Sequence, residues 1–138
     1  MKIKMYSALA WAAAMFLVCV PLWAHHGASV YESDKLTTLT GTVTEFKFMN
    51  PHSEIFFDVK DDKGNVQHWS AEAGTPQTVI LAGWSKTSIQ KGDVITVYIF
   101  QAKTGNPVGR LNKIVLADGT ELRDSALGYR DADGAGKQ

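Results

Sequence analysis

The chemistry open to this chain lies in its four histidines, His25, His26, His52 and His68. The first two follow Ala24 directly, in "LWAHHGASVYE". If peptidase cuts after Ala24, His25 becomes the terminal residue. Its α-amine, with a reference pKa of about 7.7–8.0, and its own Nδ1 can then chelate one divalent ion. A second imidazole completes a three-nitrogen set like the histidine brace, and such borderline nitrogen donors in tetragonal geometry suit copper(II). His52, in "MNPHSE", is the candidate for that ring, with His26 competing. A cut one residue earlier leaves Ala24-His25-His26, which binds copper(II) through the amine, two backbone amides and the imidazole of His26. Both cuts lead to the same metal.

Plainer roles stand beside these. The histidine pair can be a polar leader, and His52 can orient its turn by bonding to a backbone carbonyl or to Glu54. His68, between Gln67 and Trp69, reads as a packing or surface residue. Glu54, Asp58, Asp61, Asp62 and Glu72 read as solvated charge: alternation sets Asp58 opposite to Ile55, Phe57 and Val59, and Asp61-Asp62 fall in a turn. The serines at 29, 33, 53, 70, 85, 88 and 125 sit in no nucleophile-elbow pattern, so no hydrolase chemistry is expected. Trp69, Trp84, Phe46, Phe48, Phe56 and Phe57 can serve as core or as a stacking platform. Core is the expected role, and Phe56, facing away from Phe57, is the best exposed candidate.

What delivers the histidines is an export signal over residues 1–24. Lys2 and Lys4 precede an apolar run from Ala8 to Val20, Pro21 breaks it, and Ala24 is the small residue a signal peptidase needs. The 16 residues from Ala8 to Trp23 fall short of the roughly 20 that span a bilayer. No stable membrane anchor is therefore expected, and the protein is expected to be periplasmic or secreted. Cys19 lies inside this run without a small residue before it, which disfavours lipidation. Its removal leaves 114 residues without cysteine, so disulfides, thiolate metal sites and thiol nucleophiles are excluded from the mature chain. The same cut leaves 12 basic against 14 acidic residues, a formal net charge of −2. No basic run is present, and nucleic acid is not an expected partner.

The remaining chain reads as one domain of short strands. Residues 25–38 form an N-terminal segment, 39–123 a β-barrel domain and 124–138 a flexible tail. In "LTGTVTEFKFMNPH" the apolar parity switches between Val43 and Phe46, as a β-bulge near Thr44-Glu45 would produce. "EIFFDVK" and "VQHWSAE" flank Asp62-Lys63-Gly64-Asn65 as a hairpin. Thr75 can cap a two-turn helix begun by Pro76 and ended by Gly83. "VITVYIF" reads as a central strand buried on both sides, Arg110 to Leu116 as the last long strand, and Thr120 to Arg123 as a small extension. Three antiparallel strands, a helix and two more strands give an all-β fold with one short helix, a small five-stranded OB-like Greek-key barrel.

The leader followed by "HHGASVYE", "LTGTVTEFKFMNPHSEIFFDV", a tryptophan-bearing strand, Gly83-Trp84 and "KGDVITV" resembles a family of small exported bacterial proteins, domain of unknown function 6152. The resemblance covers about Ala24 to Thr120 and implies export and a single β-rich domain, with no established activity. The family pattern has an aromatic–acid pair shortly after the histidines; Tyr31-Glu32 stands where Phe-Asp is expected.

The function expected from these residues is a non-catalytic, exported copper(II)-binding protein using His25, His26 and His52, with a metal ion and a periplasmic protein as partners. The alternative is an exported OB-type module that binds a small ligand, glycan or partner protein without metal. A redox enzyme at an open copper site is a third reading for which no residue identifies a substrate.

Overall fold

The computed structural model describes residues 30–125. In chain order these form β1 (Tyr31–Lys47), β2 (Glu54–Lys60), β3 (Val66–Glu72), α1 (Pro76–Leu81), β4 (Val94–Ala102), β5 (Val108–Leu116) and β6 (Glu121–Arg123). The strands are ordered β3-β2-β1-β4-β5-β6, and a further β3–β5 pairing closes the first five into a barrel. That pairing is parallel, whereas every other neighbouring pair is antiparallel. This is the small OB-like barrel that the order of elements implies.

The bulge falls where the parity switch places it. Val43 pairs with Phe57 and Glu45 with Phe56, so Thr44 is the extra residue. Both backbone groups of Val43 are instead satisfied by the turn before β4: its N–H donates to Asp93 O and its carbonyl accepts from Gly92 N, each at 2.8 Å. Past the bulge, Phe46 and Phe48 turn onto the core, with Phe46 5.6 Å from Phe48 and 5.8 Å from the Trp84 ring. Inward residues of the strands, among them Ile55, Phe57, Trp69, Ala71, Ile95, Val97, Leu111 and Ile114, fill the barrel. Trp69 and Trp84 are core residues, each with its indole N–H bonded: to Gln67 Oε1 at 3.0 Å and to the Arg123 carbonyl at 2.7 Å. The helix begins as its cap residues dictate, with Thr75 Oγ1 accepting from Thr78 N, and it terminates at Gly83, whose φ is +95°.

Three features differ from the sequence expectation. The first strand pairs from Tyr31 rather than from Leu39, with an irregular stretch between Tyr31 and Leu36. Exposed Ser33, Asp34 and Lys35 interrupt the alternation there, which hides the strand start. β4 is central, between β1 and β5, but Val94 is exposed and Thr96 and Tyr98 are half-buried; Ile95, Val97 and Ile99 join the barrel core, Phe100 is buried outside that cluster, and the register shift opposite Tyr98 and Ile99 leaves Asn112 of β5 as the extra residue. Asp124 is buried and bonded to the barrel instead of opening a loose tail.

Candidate functional site

Alternation along β3 turns Trp69 and Ala71 inward and Glu72 outward at the strand's end. The two ladders that flank β3 set Glu72 opposite Glu54 on one side and Arg110 on the other. Glu54 in turn opposes Lys47. A row of four charged residues therefore crosses four strands, with the two carboxylates adjacent in the middle. Like charges directly opposite one another destabilise a sheet unless cations or donors meet them, and this row has such partners.

Tyr31 Oη donates to Glu72 Oε2 at 2.9 Å. Glu72 Oε1 faces His52 Nε2 at 3.5 Å and Arg110 Nη1 at 3.7 Å. Arg110 is held by Asp124, its Nη2 donating to Oδ2 at 2.8 Å, while Nη1 donates to the Ala73 carbonyl at 3.3 Å. The other Asp124 oxygen accepts from Gly74 N at 2.6 Å. The Tyr31 phenol is pushed up to about 12, first by burial and then by its bond to the Glu72 carboxylate.

His52 is delivered to this cluster by the loop between β1 and β2. The Asn50–Pro51 peptide is cis. The next residue, Ser53, is buried and stitched to the end of β3: its N–H donates to Gly74 O at 2.9 Å and its carbonyl accepts from Ala73 N at 2.8 Å. Between these fixed points the His52 side chain stands about half exposed, at 49%. Its acidic neighbour is Glu72 and not the nearer residue in sequence, Glu54.

Of the expected metal ligands, His26 and His25 lie outside the described residues, and His52 lies at the rim just described. His68 is a surface residue, 83% exposed, with Nδ1 2.6 Å from Asp58 Oδ1. It precedes Glu72 by four residues on the same strand, about 13 Å at the strand rise, so it cannot join His52 around one ion. Among the described residues no group of three or more His, Asp or Glu is arranged to hold a metal. Of the acids expected to be solvated, Asp61 is a turn residue whose carboxylate accepts from Asn65 Nδ2, Asn65 N and Lys63 N, and these bonds, that of the Asn65 side chain first, hold it below the usual carboxylate range. Glu72 departs from that expectation. Half-exposed Phe56 has Lys47 Nζ 4.4 Å from its ring centroid, so one face of the best aromatic candidate is already occupied.

Glu72, Arg110 and Asp124 are the site residues that no motif marks, and Tyr31 is marked only by its place in the Tyr31-Glu32 pair after the histidines. One signal for Glu72 is in the sequence: a hairpin turning at Asp61–Asn65 sets Glu54 opposite Glu72, a like-charge pair that needs a cation. That Arg110 supplies it follows only from the β3–β5 pairing.

A small closed OB-like barrel, bearing on its outer rim a histidine set against a Tyr–Glu–Arg–Asp network, is the class of protein these features define. The chain matches the family of unknown function DUF6152 over residues 14–112 and belongs to it. That span includes His25-His26, Tyr31, His52, Glu72 and Arg110. No curated protein and no solved structure matches the chain significantly.

Proposed function

We propose that this is an exported, non-catalytic copper(II)-binding protein whose mature terminus begins at His25 and binds the ion through its α-amine and imidazole together with His52, with His26 as the competing ring. The observation that carries this reading is the placement of Tyr31. Its hydroxyl is bonded to the same carboxylate that His52 faces, so the point where the barrel takes up the chain lies at the His52 rim. Six residue steps separate His25 from Tyr31 and can span at most about 20 Å. A terminal chelate is thus within reach of His52, and the β1 start and the Asn50–Pro51–His52 loop supply the two sides of one site. Storage, delivery or sensing of copper are the roles such a site fits.

The test has two parts. Mass spectrometry of the exported protein should give His25, or Ala24, as the first residue. Copper(II) titration should then show weakened binding in both His25→Ala and His52→Ala. A mature chain starting at Ser29 or later, or unchanged affinity in both variants, removes the proposal.

A further inference from the structure

At the end of β5 opposite to Arg110, the β4–β5 ladder closes with the pair Ile95–Leu116. Leu116 is six residues beyond Arg110, about 20 Å at the strand rise, so this end of the barrel is separate from the His52 rim. Past that pair the two strands part into turns, in which Asp93 N donates to Gln90 O at 3.1 Å and Gly119 N to Leu116 O at 2.9 Å. The cleft between the turns, about 260 Å³, is lined by Asp93, Val94, Leu116, Ala117 and Asp118. We infer that it is a binding site for a primary alkylammonium chain, the group that a lysine side chain or a free aliphatic amine presents.

The apolar lining suits methylenes. Val94 is 54% exposed although it opens a central strand, and Leu116 and Ala117 line the cleft with it. The volume falls below the roughly 300–1,000 Å³ of pockets that enclose drug-sized molecules, so the cleft takes one extended chain. Its walls are already fixed. Val43 holds the first turn through Asp93 O and Gly92 N, each at 2.8 Å, and Leu116 N holds the second by donating to Thr120 O at 2.9 Å. A preformed cleft spares the ligand the cost of ordering it.

Asp93 and Asp118 supply the charge. Each caps its own turn with one oxygen: Asp93 Oδ2 accepts from Gln90 N and Asp118 Oδ1 from Thr120 N, both at 2.8 Å. The bond from the Thr120 amide holds the Asp118 carboxyl below the usual carboxylate range. Among the described residues neither acid is paired with a lysine, arginine or histidine. Two carboxylates without a cation beside an exposed apolar strip call for a ligand that is positive at one end and apolar along its length. A bare metal ion meets only the first demand, and the cleft offers it just two acid side chains where no group of three is arranged to hold one.

The experiment is an amide chemical-shift titration of the exported protein with n-butylamine, n-butanol and ammonium chloride at neutral pH. Butylamine should move the amides of 93–94 and 116–118 and bind at least about tenfold more tightly than ammonium, which lacks the methylenes. Butanol, with the chain but no charge, should bind more weakly than butylamine. Asp93→Asn and Asp118→Asn, which keep an acceptor for each turn amide, should each weaken butylamine by about two- to fivefold. Asp62→Asn, an equal charge change in the β2–β3 turn, should leave it unaltered. The inference fails if butanol binds as well as butylamine, since the cleft is then merely apolar, or if ammonium does, since it is then merely acidic. It fails too if the two cleft variants bind no more weakly than Asp62→Asn, or if butylamine moves no amide of the cleft. Nα-acetyl-lysine methylamide separates the two sources. Shifts of the same amides at butylamine's affinity assign the cleft to a partner's lysine, and binding of butylamine alone assigns it to a free amine.

Discussion

The Tyr31 hydroxyl and the Glu72 carboxylate, 41 residues apart in sequence, meet at 2.9 Å. This contact ties the first residue of β1 to the last residue of β3, two strands that are not neighbours in the sheet. It fixes both where the chain enters the barrel and how the acid at the rim is aimed. A hydrogen bond to a charged acceptor is worth roughly 1.5–3 kcal/mol, less where water reaches it. Tyr31→Phe is expected to lower the unfolding free energy by about 1–2 kcal/mol, read as a lower urea midpoint at unchanged slope. An unaltered midpoint would show that the contact contributes nothing.

The same contact sets a response to alkali. Burial and the Glu72 bond favour the protonated phenol, raising its pKa from 10.0 to about 12. A group whose pKa is higher in the folded state stabilises the fold fully below its unfolded value and loses that contribution as pH rises through the folded one. Stability should therefore be level with respect to Tyr31 below pH 10 and fall between pH 10 and about 12. Comparing the wild type with Tyr31→Phe over that window isolates the effect, and parallel curves would contradict it.

Asp124 is the second anchor of the rim. It joins Arg110 on β5 to the Gly74 amide beyond β3, with its side chain nearly buried. Removing one partner of such a pair leaves the other charge and a backbone donor uncompensated, which costs about 3–5 kcal/mol when burial is complete. Because Arg110 is partly open to water, Asp124→Ala is expected to cost roughly 2–3 kcal/mol. Thermal or denaturant unfolding measures it. A loss below about 0.5 kcal/mol would place this pair among ordinary surface pairs.

At Gly109 the backbone of β5 passes close against Ile99 and Phe100 of β4. A Cβ there would meet Ile99 Cβ and the Phe100 carbonyl oxygen at 2.9 Å each, and Ile99 Cδ1 at 2.7 Å. Two of those atoms belong to a rigid central strand and cannot step aside. Gly109→Ala is expected to destabilise by about 1–3 kcal/mol through overpacking, and a neutral result on calorimetry would show that the two strands separate at little cost.

Much of the barrel is legible in the chain because local pattern decides it. The parity switch around Thr44 and the Thr75-Pro76 helix start each follow from residue type and spacing and fall where those dictate, and the hairpin turn expected at Asp62–Asn65 lies between strands that end at Lys60 and begin at Val66. The start of β1 is not legible, since Ser33, Asp34 and Lys35 break the alternation while the strand continues through them. Half of the candidate site is legible: His52 is marked by its type and by the proline before it. Glu72 shows only as an outward residue at a strand end, because its importance comes from Tyr31 and Arg110. Those reach it through long-range pairings that no local period encodes. Asp124 is misread for the same reason: its partners arrive from β5 and from the residue after Ala73.

The parallel β3–β5 contact runs over just three residue pairs, Ser70–Val108, Ala71–Gly109 and Glu72–Arg110. It is the zipper that turns an open sheet into a cylinder, and its last tooth is the acid at the rim. With so few pairs along it, this seam is where the cylinder parts most readily, and amide exchange at 70–72 and 108–110 should outpace that of the long β1–β4 ladder.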